Sequence, residues 1–353
     1  MKKMNPELFA TLSILLNCLV LLAAADTLVC LILKLAAGIP FRKAFLWGCI
    51  SFLIPPMAIA YGAIIERNLF KVKKVEIVYD SLPEAFDGYT IVHISDIHAR
   101  SFEGRENRLE KAVEKINVLD PDIIAFTGDL VSMSPAELEG MTDILDGMKS
   151  KDGVFSVLGN HDYIMYPEMD DASKRKAMER LIETEKAMGW NLLLNGNMVI
   201  RRGRDSIAVV GVENTSPSRH FPSRGDLGQA AAGTEGMFRV LLSHDPLHWE
   251  AEIVGKDFPL TLSGHTHAMQ FSLRGWSPSR YMFPQYRGLY ANDNRYLYVN
   301  PGLGETIFPA RIGVMPEITL ITLKVGNIGK YLYIWMFSNI QITNQRWKPT
   351  GNG

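Results

Sequence analysis

The sequence predicts an α/β fold carried behind a pair of membrane-spanning helices. Between Thr90 and Ser156, apolar runs of strand length alternate with segments whose apolar residues recur at helical spacing, the pattern of βαβ units. Five such runs along the chain end in side chains that bind metals, at the strand ends where α/β folds place their sites. Upstream, two long stretches are almost free of charge.

Leu8 to Leu33 is apolar apart from Asn17, Asp26 and small polar residues, and Ala44 to Ile65 has no charge. Each can cross the ~30 Å hydrocarbon core, which takes about 20 helical residues, and neither ends in a signal-peptide cleavage pattern. Asp26 within a span costs about 2.5–3.5 kcal/mol, so it is expected to pair with Lys34 or a neighbouring helix, or the span ends near Ala25. Cys18, Cys30 and Cys49 all lie in the spans, and a cysteine-free remainder favours a reducing compartment. Lys2 and Lys3 precede the first span and Arg67, Lys71, Lys73 and Lys74 follow the second, against Lys34, Arg42 and Lys43 between them. This balance predicts a multi-pass protein of the inner (cytoplasmic) membrane with both ends of the hairpin, and the domain that follows, in the cytoplasm.

Val72, Val75, Ile77 and Val78 mark an entry strand before the turn at Leu82-Pro83. Arg105 to Leu119 places Leu109, Val113 and Ile116 on one helical face, and Asp120-Pro121 ends it. Ser134-Pro135-Ala136-Glu137 is a capping box, expected to open a helix with the stripe Leu138, Met141, Leu145 and Met148. A charged helix is expected within Tyr163 to Gly189. Asn191 to Ile200 and Ser206 to Val212 read as a hairpin around the basic turn Arg201-Arg202-Gly203-Arg204, and Ser216 to Gly236 as a loop with one short helix. Arg295 to Asn300 and Glu317 to Leu323 are closing strands. The apolar patch Tyr331 to Phe337 of the tail is too short to span a bilayer.

With 37 Lys+Arg against 38 Asp+Glu, no nucleic-acid surface is expected. The chemistry gathers at the ends of the five apolar runs, which finish in Asp96 and His98, in Asp129, in Asn160 and His161, in His244, and in His265 and His267. Gly264, lacking a Cβ, is expected to let the chain turn sharply before the last pair. The set is too large for one ion. Two ions ~3.5–4 Å apart with a shared carboxylate suit it, Asp129 being the natural bridge; such ions depress the pKa of water and clamp phosphate oxygens. The implied reaction is phosphoester hydrolysis. His93, His220 and His248 fall outside the pattern and are assigned to core or surface, while Arg100, Arg287 and Arg311 are candidates for gripping phosphate.

Asp96-Ile-His98, Gly128-Asp129, Gly159-Asn160-His161-Asp162, His244 and Gly264-His265-Thr266-His267 together resemble the five-motif signature of the calcineurin-like metallophosphoesterases, over roughly Asp87 to Leu323. They look most like the membrane-associated bacterial branch. The resemblance implies a four-layer α/β/β/α sandwich, with an anchor at 1–70, a catalytic domain at 71–325 and a tail at 326–353. It implies a first ion on Asp96, His98, Asp129 and His267 and a second on Asp129, Asn160, His244 and His265. His161 would contact the scissile phosphate and assist the leaving oxygen, and Asp162 would orient its imidazole. Ala268 stands where the family usually has glycine. Mixed nitrogen and oxygen donors point to two divalent ions, manganese first, with iron or zinc also admitted. The implied substrate is a phosphodiester or pyrophosphate, lipid-linked as in the UDP-2,3-diacylglucosamine that some members hydrolyse in lipid A synthesis. The competing readings are a general phosphodiesterase or phosphomonoesterase, and a non-catalytic membrane-anchored scaffold, which loss of ligands would mark. The aromatics Phe271, Trp276, Tyr281, Phe283, Tyr286 and Tyr290 follow the last ligands and are expected to border a groove admitting an acylated substrate from the membrane.

Overall fold

A computed structural model of the chain describes residues 6–326; Lys2, Lys3 and the tail beyond Gly326 lie outside the described residues. Helix α1 (Pro6–Ala37) is continuous through Asp26, whose carboxylate sits so close to Gly48 that a Cβ there would lie 1.7 Å from it. Asp26 thus lies beside the neighbouring helix but, among the described residues, pairs with neither it nor Lys34; Oδ1 accepts from Cys30 Sγ (3.8 Å) within α1, and that helix runs on past Ala25. The second stretch is α2 (Phe41–Gly48), a 3-10 segment (Cys49–Leu53) and α3 (Ile54–Ile64). The tightening precedes Pro55-Pro56, which lack the N–H groups a continuous helix would use. Two helical stretches, Glu7–Ala37 and Phe41–Asn68, are long and apolar enough to cross a membrane.

Strand β1 (Lys71–Tyr79) opens the sandwich. Next come β2 (Thr90–Ile94), α4 (Glu106–Val118), β3 (Ile123–Phe126), α5 (Thr142–Asp146), β4 (Val154–Ser156), α6 (Asp171–Ala187) and β5 (Asn191–Leu192). The chain then crosses to a second sheet through β6 (Gly196–Arg202), β7 (Asp205–Gly211), α7 (Leu227–Ala231), β8 (Phe238–Leu242), β9 (Leu260–Ser263), β10 (Gly288–Asn292) and β11 (Arg295–Val299), and β12 (Glu317–Val325) returns to the first. The sheets run β1-β12-β2-β3-β4-β5 and β10-β11-β9-β8-β7-β6. Strands β2 to β5 are parallel, as are β7, β8, β9 and β11. Every residue of β3, β4, β8 and β9 is buried, as strands covered on both faces must be.

Three apolar layers follow. Leu109, Val113 and Ile116 of α4 pack with Leu145 and Leu181 on the outer face of the first sheet. Ile91, Ile123, Phe155, Val209, Val240 and Leu262 fill the space between the sheets, and Leu241, Leu227, Trp249 and Ile253 cover the far face. This is the α/β/β/α order that the motifs imply.

Two local expectations need correction. The capping box at Ser134 and Glu137 is present, but its helix stops at Leu138 because Gly140 turns left-handed (φ 77°), and α5 restarts at Thr142. Asn191 to Ile200 is not one strand: Asn191 and Leu192 pair with β4 in the first sheet, and the chain changes sheet before Gly196. The end of the anchor also contacts the sandwich directly. Arg311 N–H donates to Gly62 O (3.4 Å), and Gly313 N–H to Glu66 Oε2 (2.9 Å).

Behind that junction, buried Glu305 holds two buried guanidinia, Arg67 at 2.7 Å and Arg108 at 3.1 Å. Arg67 is thus tied into the domain rather than standing free beside the bilayer. Glu305→Ala leaves two uncompensated buried cations and should destabilise the full chain by about 3–5 kcal/mol, read as a fall in Tm in detergent. An unchanged Tm would mean that the arginines are solvated.

Glu185 on α6 is fully buried beside Ser156, whose hydroxyl donates to it at 2.6 Å. Burial, reinforced by the nearby Asp162 charge, pushes its carboxyl up to about 8. The folded state therefore holds a proton that the unfolded state releases, so this stability is complete below pH ~4.5 and is lost as pH rises toward 8. Glu185→Gln should flatten the decline of Tm between pH 5 and 8; an equally steep decline in the variant would show that Glu185 is ionised when folded.

Candidate metal centre

The five ligand-bearing loops leave the carboxyl ends of β2, β3 and β4 in one sheet and β8 and β9 in the other. Backbone bonds stitch them together: Asp96 N–H donates to Gly128 O (2.9 Å), His98 N–H to Asp129 O (3.0 Å) and Gly264 N–H to His244 O (2.9 Å). Side-chain bonds also cross between the sheets, among them those from His265 N–H to Asp96 Oδ2 (3.0 Å) and from His244 Nδ1 to Thr127 O (2.7 Å). Asp96 (φ 49°), His98 (45°), Asp129 (59°), His265 (71°) and His267 (48°) all sit in the left-handed region. Non-glycine residues are uncommon there, and such strain collects at functional sites.

Two donor clusters result. In the first, His267 Nε2 lies 3.2 Å from Asp96 Oδ1 and 3.1 Å from His98 Nε2, and His98 Nε2 is 3.6 Å from Asp129 Oδ2. In the second, His244 Nε2 lies 3.3 Å from the same Asp129 Oδ2 and 3.2 Å from Asn160 Oδ1, while His265 Nδ1 lies 2.8 Å from Asn160 Oδ1. The structure thus gathers Asp96, His98, Asp129, Asn160, His244, His265 and His267, with one Asp129 oxygen facing both groups.

The donors fit divalent ions. Separations near 3 Å are those of ligands held ~2.0–2.2 Å from one centre. Asp96 and Asp129 are buried with no lysine or arginine paired to them among the described residues. Burial disfavours charge on His244, yet Asp129 beside it raises its pKa to about 10. The carboxylates thus draw positive charge into the centre. The Thr127 carbonyl can only accept, so His244 donates to it from Nδ1 and faces the centre with Nε2, the nitrogen that would hold an ion in place of a proton.

His161 stands at the edge. Its N–H donates to Asp129 Oδ1 (2.8 Å), and its Nδ1 donates to Ser132 O (2.8 Å), leaving Nε2 free for a substrate oxygen. Asp162 does not touch that ring, contrary to expectation. Its carboxylate instead accepts from the backbone N–H groups of Asp129 (2.8 Å), Leu130 (2.9 Å), Val131 (3.2 Å) and Gly159 (2.9 Å), joining two ligand loops. Sequence adjacency to His161 pointed to the wrong partner. Gly264 also has a different reason from the one expected. Its φ is not left-handed; a Cβ there would lie 1.8 Å from Ser95 Oγ and 2.3 Å from Asp96 Oδ2.

Tyr166, missed in the sequence, donates no motif signal, yet its hydroxyl accepts from Asn160 Nδ2 (3.0 Å) and its ring lies 4.4 Å from that of His161. Phe221 and Phe283 pack edge-on against His265 at 4.9 and 5.4 Å. Among the predicted aromatics, Phe283 therefore reaches the site, Tyr290 is buried, and Trp276 and Tyr281 are exposed. A cavity of about 470 Å³ does adjoin His161, but its walls come from residues 100–105, 132–133 and 305–309 with Glu7 and Tyr166, not from the 271–290 segment. Arg100 lines it; Arg287 lies 3.8 Å from Glu317 elsewhere. Arg311 is fully buried, donating to the carbonyls of Val314, Pro301 and Gly304, and cannot grip substrate. His93 and His248 are buried with hydroxyl partners Thr127 and Ser243, and His220 is exposed, as assigned.

Residues 89–269 match the family model for calcineurin-like phosphoesterases. A transmembrane protein with metallophosphoesterase domain from Danio rerio is 32% identical over 80% of this chain, which spans only 63% of that relative. An uncharacterized metallophosphoesterase from Bacillus subtilis is 28% identical over 81% of this chain and 98% of its own. A UDP-2,3-diacylglucosamine pyrophosphatase from Chlamydia trachomatis is 27% identical over 68% of this chain and 85% of its own.

Proposed function

Because this chain belongs to the calcineurin-like phosphoesterase family, we propose that it is a membrane-anchored, dinuclear-metal hydrolase of phosphodiester or pyrophosphate bonds. The observation that carries the reading is the single Asp129 oxygen set between His98 and His244 at 3.6 and 3.3 Å. We assign Asp96, His98, Asp129 and His267 to one ion and Asp129, Asn160, His244 and His265 to the other. When bound there, two divalent ions would supply activated water and neutralise the charge of the transferring phosphoryl group. The protein's own residues do the rest. His161 presents Nε2 to the leaving oxygen, Ser132 O keeps the opposite nitrogen protonated, and Asp162 holds the Asp129 and Asn160 loops in register. Manganese is the first choice for an N/O donor set of this kind, with iron or zinc as alternatives.

A lipid-linked substrate is the finer reading. The last turn of the anchor contacts the sandwich at Gly62 and Glu66, and Glu7 at the start of α1 reaches Arg100 at 3.3 Å, so both ends of the hairpin meet the catalytic face. That supports two spans with the domain on the side of both ends, the cytoplasmic side by the charge balance. The named activity of the chlamydial relative adds support for a UDP-linked acylated sugar. The test is a metal-by-metal activity screen of the detergent-solubilised chain on bis-p-nitrophenyl phosphate, p-nitrophenyl phosphate and a UDP-linked acylated sugar. Turnover of the diester with two ions per chain is expected. Two bound ions with no turnover of any of the three would favour the scaffold reading.

A further inference from the structure

The cavity beside His161 joins the metal centre to the first helix of the anchor. His161 and Tyr166 line its inner wall, and Glu7, one residue into α1, lines its outer wall. If α1 crosses the bilayer, Glu7 marks the level of the lipid headgroups. Arg100 and Glu7 hold each other at 3.3 Å, with side chains 37% and 38% exposed. Such a half-solvated pair is weak and exchangeable. The other charged groups at the cavity are Arg67, Arg105, Glu103 and Glu305. Glu305 is already shared between Arg67 and Arg108, and Arg105 has no carboxylate within ion-pair distance among the described residues. Three guanidinia, Arg67, Arg100 and Arg105, thus line the cavity with three carboxylates, and of these Arg100 and Arg105 lie outside the Glu305 network.

The remaining wall is apolar and strained. Ile307 is 72% exposed and adopts φ 61°, a conformation that a β-branched side chain rarely tolerates. With Phe308 and Pro309 it forms an apolar sill on the same cavity. Strain that holds an isoleucine out of the core points to a use for it at the surface.

We propose that this cavity is the subsite for the leaving half of an anionic amphiphile, resting on the phosphoesterase reading. Its anionic headgroup displaces Glu7 from Arg100, its hydrocarbon begins on Ile307 and Phe308 and continues into the bilayer, and its phosphoester lies at His161. Guanidinium groups suit this role because they bind phosphate in a planar, bidentate manner. The acylated groove expected from the sequence beside Phe283 is thereby placed beside His161 instead.

Calorimetric titration of the full chain in phosphatidylcholine nanodiscs tests this with three soluble ligands below their micelle concentrations. These are dihexanoyl phosphatidylglycerol (anionic, with chains), dihexanoyl phosphatidylcholine (chains without net charge) and glycerophosphoglycerol (anionic, without chains), with empty nanodiscs subtracted. The first should bind at least about tenfold more tightly than either of the others. Arg100→Ala should abolish its advantage over the phosphatidylcholine, and Ile307→Ser its advantage over the chain-free ligand. Glu7→Gln should act in the opposite sense, tightening the anionic amphiphile several-fold, a gain that misfolding cannot produce. Equal binding of the three ligands, or shifts of the same sign from Arg100→Ala and Glu7→Gln, would overturn the subsite. Turnover of bis-p-nitrophenyl phosphate by the unmodified chain is read separately, so failure of the hydrolase reading and failure of the subsite are distinguishable.

Discussion

Asp129→Asn should abolish most turnover, by orders of magnitude, and lower the bound metal below two ions per chain. The geometry separates the two oxygens by task. Oδ1 accepts the His161 N–H at 2.8 Å, and Oδ2 alone faces His98 and His244. An asparagine can keep the first bond through its carbonyl, but then turns an uncharged amide nitrogen toward both donor clusters. Neither ion retains its shared anion. In the metal-free chain the surrounding imidazoles, His244 first, outweigh the cost of burial and hold the Asp129 carboxyl well below the usual range, so its charge is net stabilising there. Asparagine forfeits that contribution and leaves the His244 charge without its partner. The expected signature is therefore a Tm in chelator lower than that of the unmodified chain, combined with lost metal and lost activity. Equal metal content and equal turnover in the two proteins would sink the dinuclear assignment.

The ligands were legible because each one follows a buried strand, and short continuous apolar runs that stop at Asp, Asn or His are visible without any structure. What joins the loops was not. Asp162 serves the backbone of residues 129–131 and 159, and nothing in its neighbours' identities distinguishes that from a contact with His161. The Glu305 link to Arg67 spans 238 positions, and the buried Arg311 looks like any loop arginine until its carbonyl partners are known. Local backbone signs misled in both directions. Gly264 was read for its freedom to turn and is needed for its lack of bulk, whereas Ala268, one methyl beside the site, adopts φ 48°, where glycine is at ease. The glycine usual in the family at that position now has a conformational reason.

His161→Ala should differ from Asp129→Asn in kind. The ring meets His98 and Asp129 closely enough to complete a third group of possible ligands, so its position alone admits two roles. Its hydrogen bond argues for one of them. Nδ1 is committed to Ser132 O, which leaves Nε2 as the nitrogen available on the cavity that His161 and Tyr166 line, the side from which a leaving group would depart. A group placed there contributes by protonating the leaving oxygen, typically about 10²–10⁴-fold, and the contribution grows as the leaving group becomes more basic. His161→Ala should therefore retain two ions per chain and lose little on p-nitrophenyl esters, whose phenolate departs without help. On alkyl esters it should lose about two to four orders of magnitude. Plotting log kcat against leaving-group pKa should give a steeper negative slope for the variant than for the unmodified chain. Parallel slopes would remove His161 from proton transfer, and a fall to one ion per chain would make it a ligand.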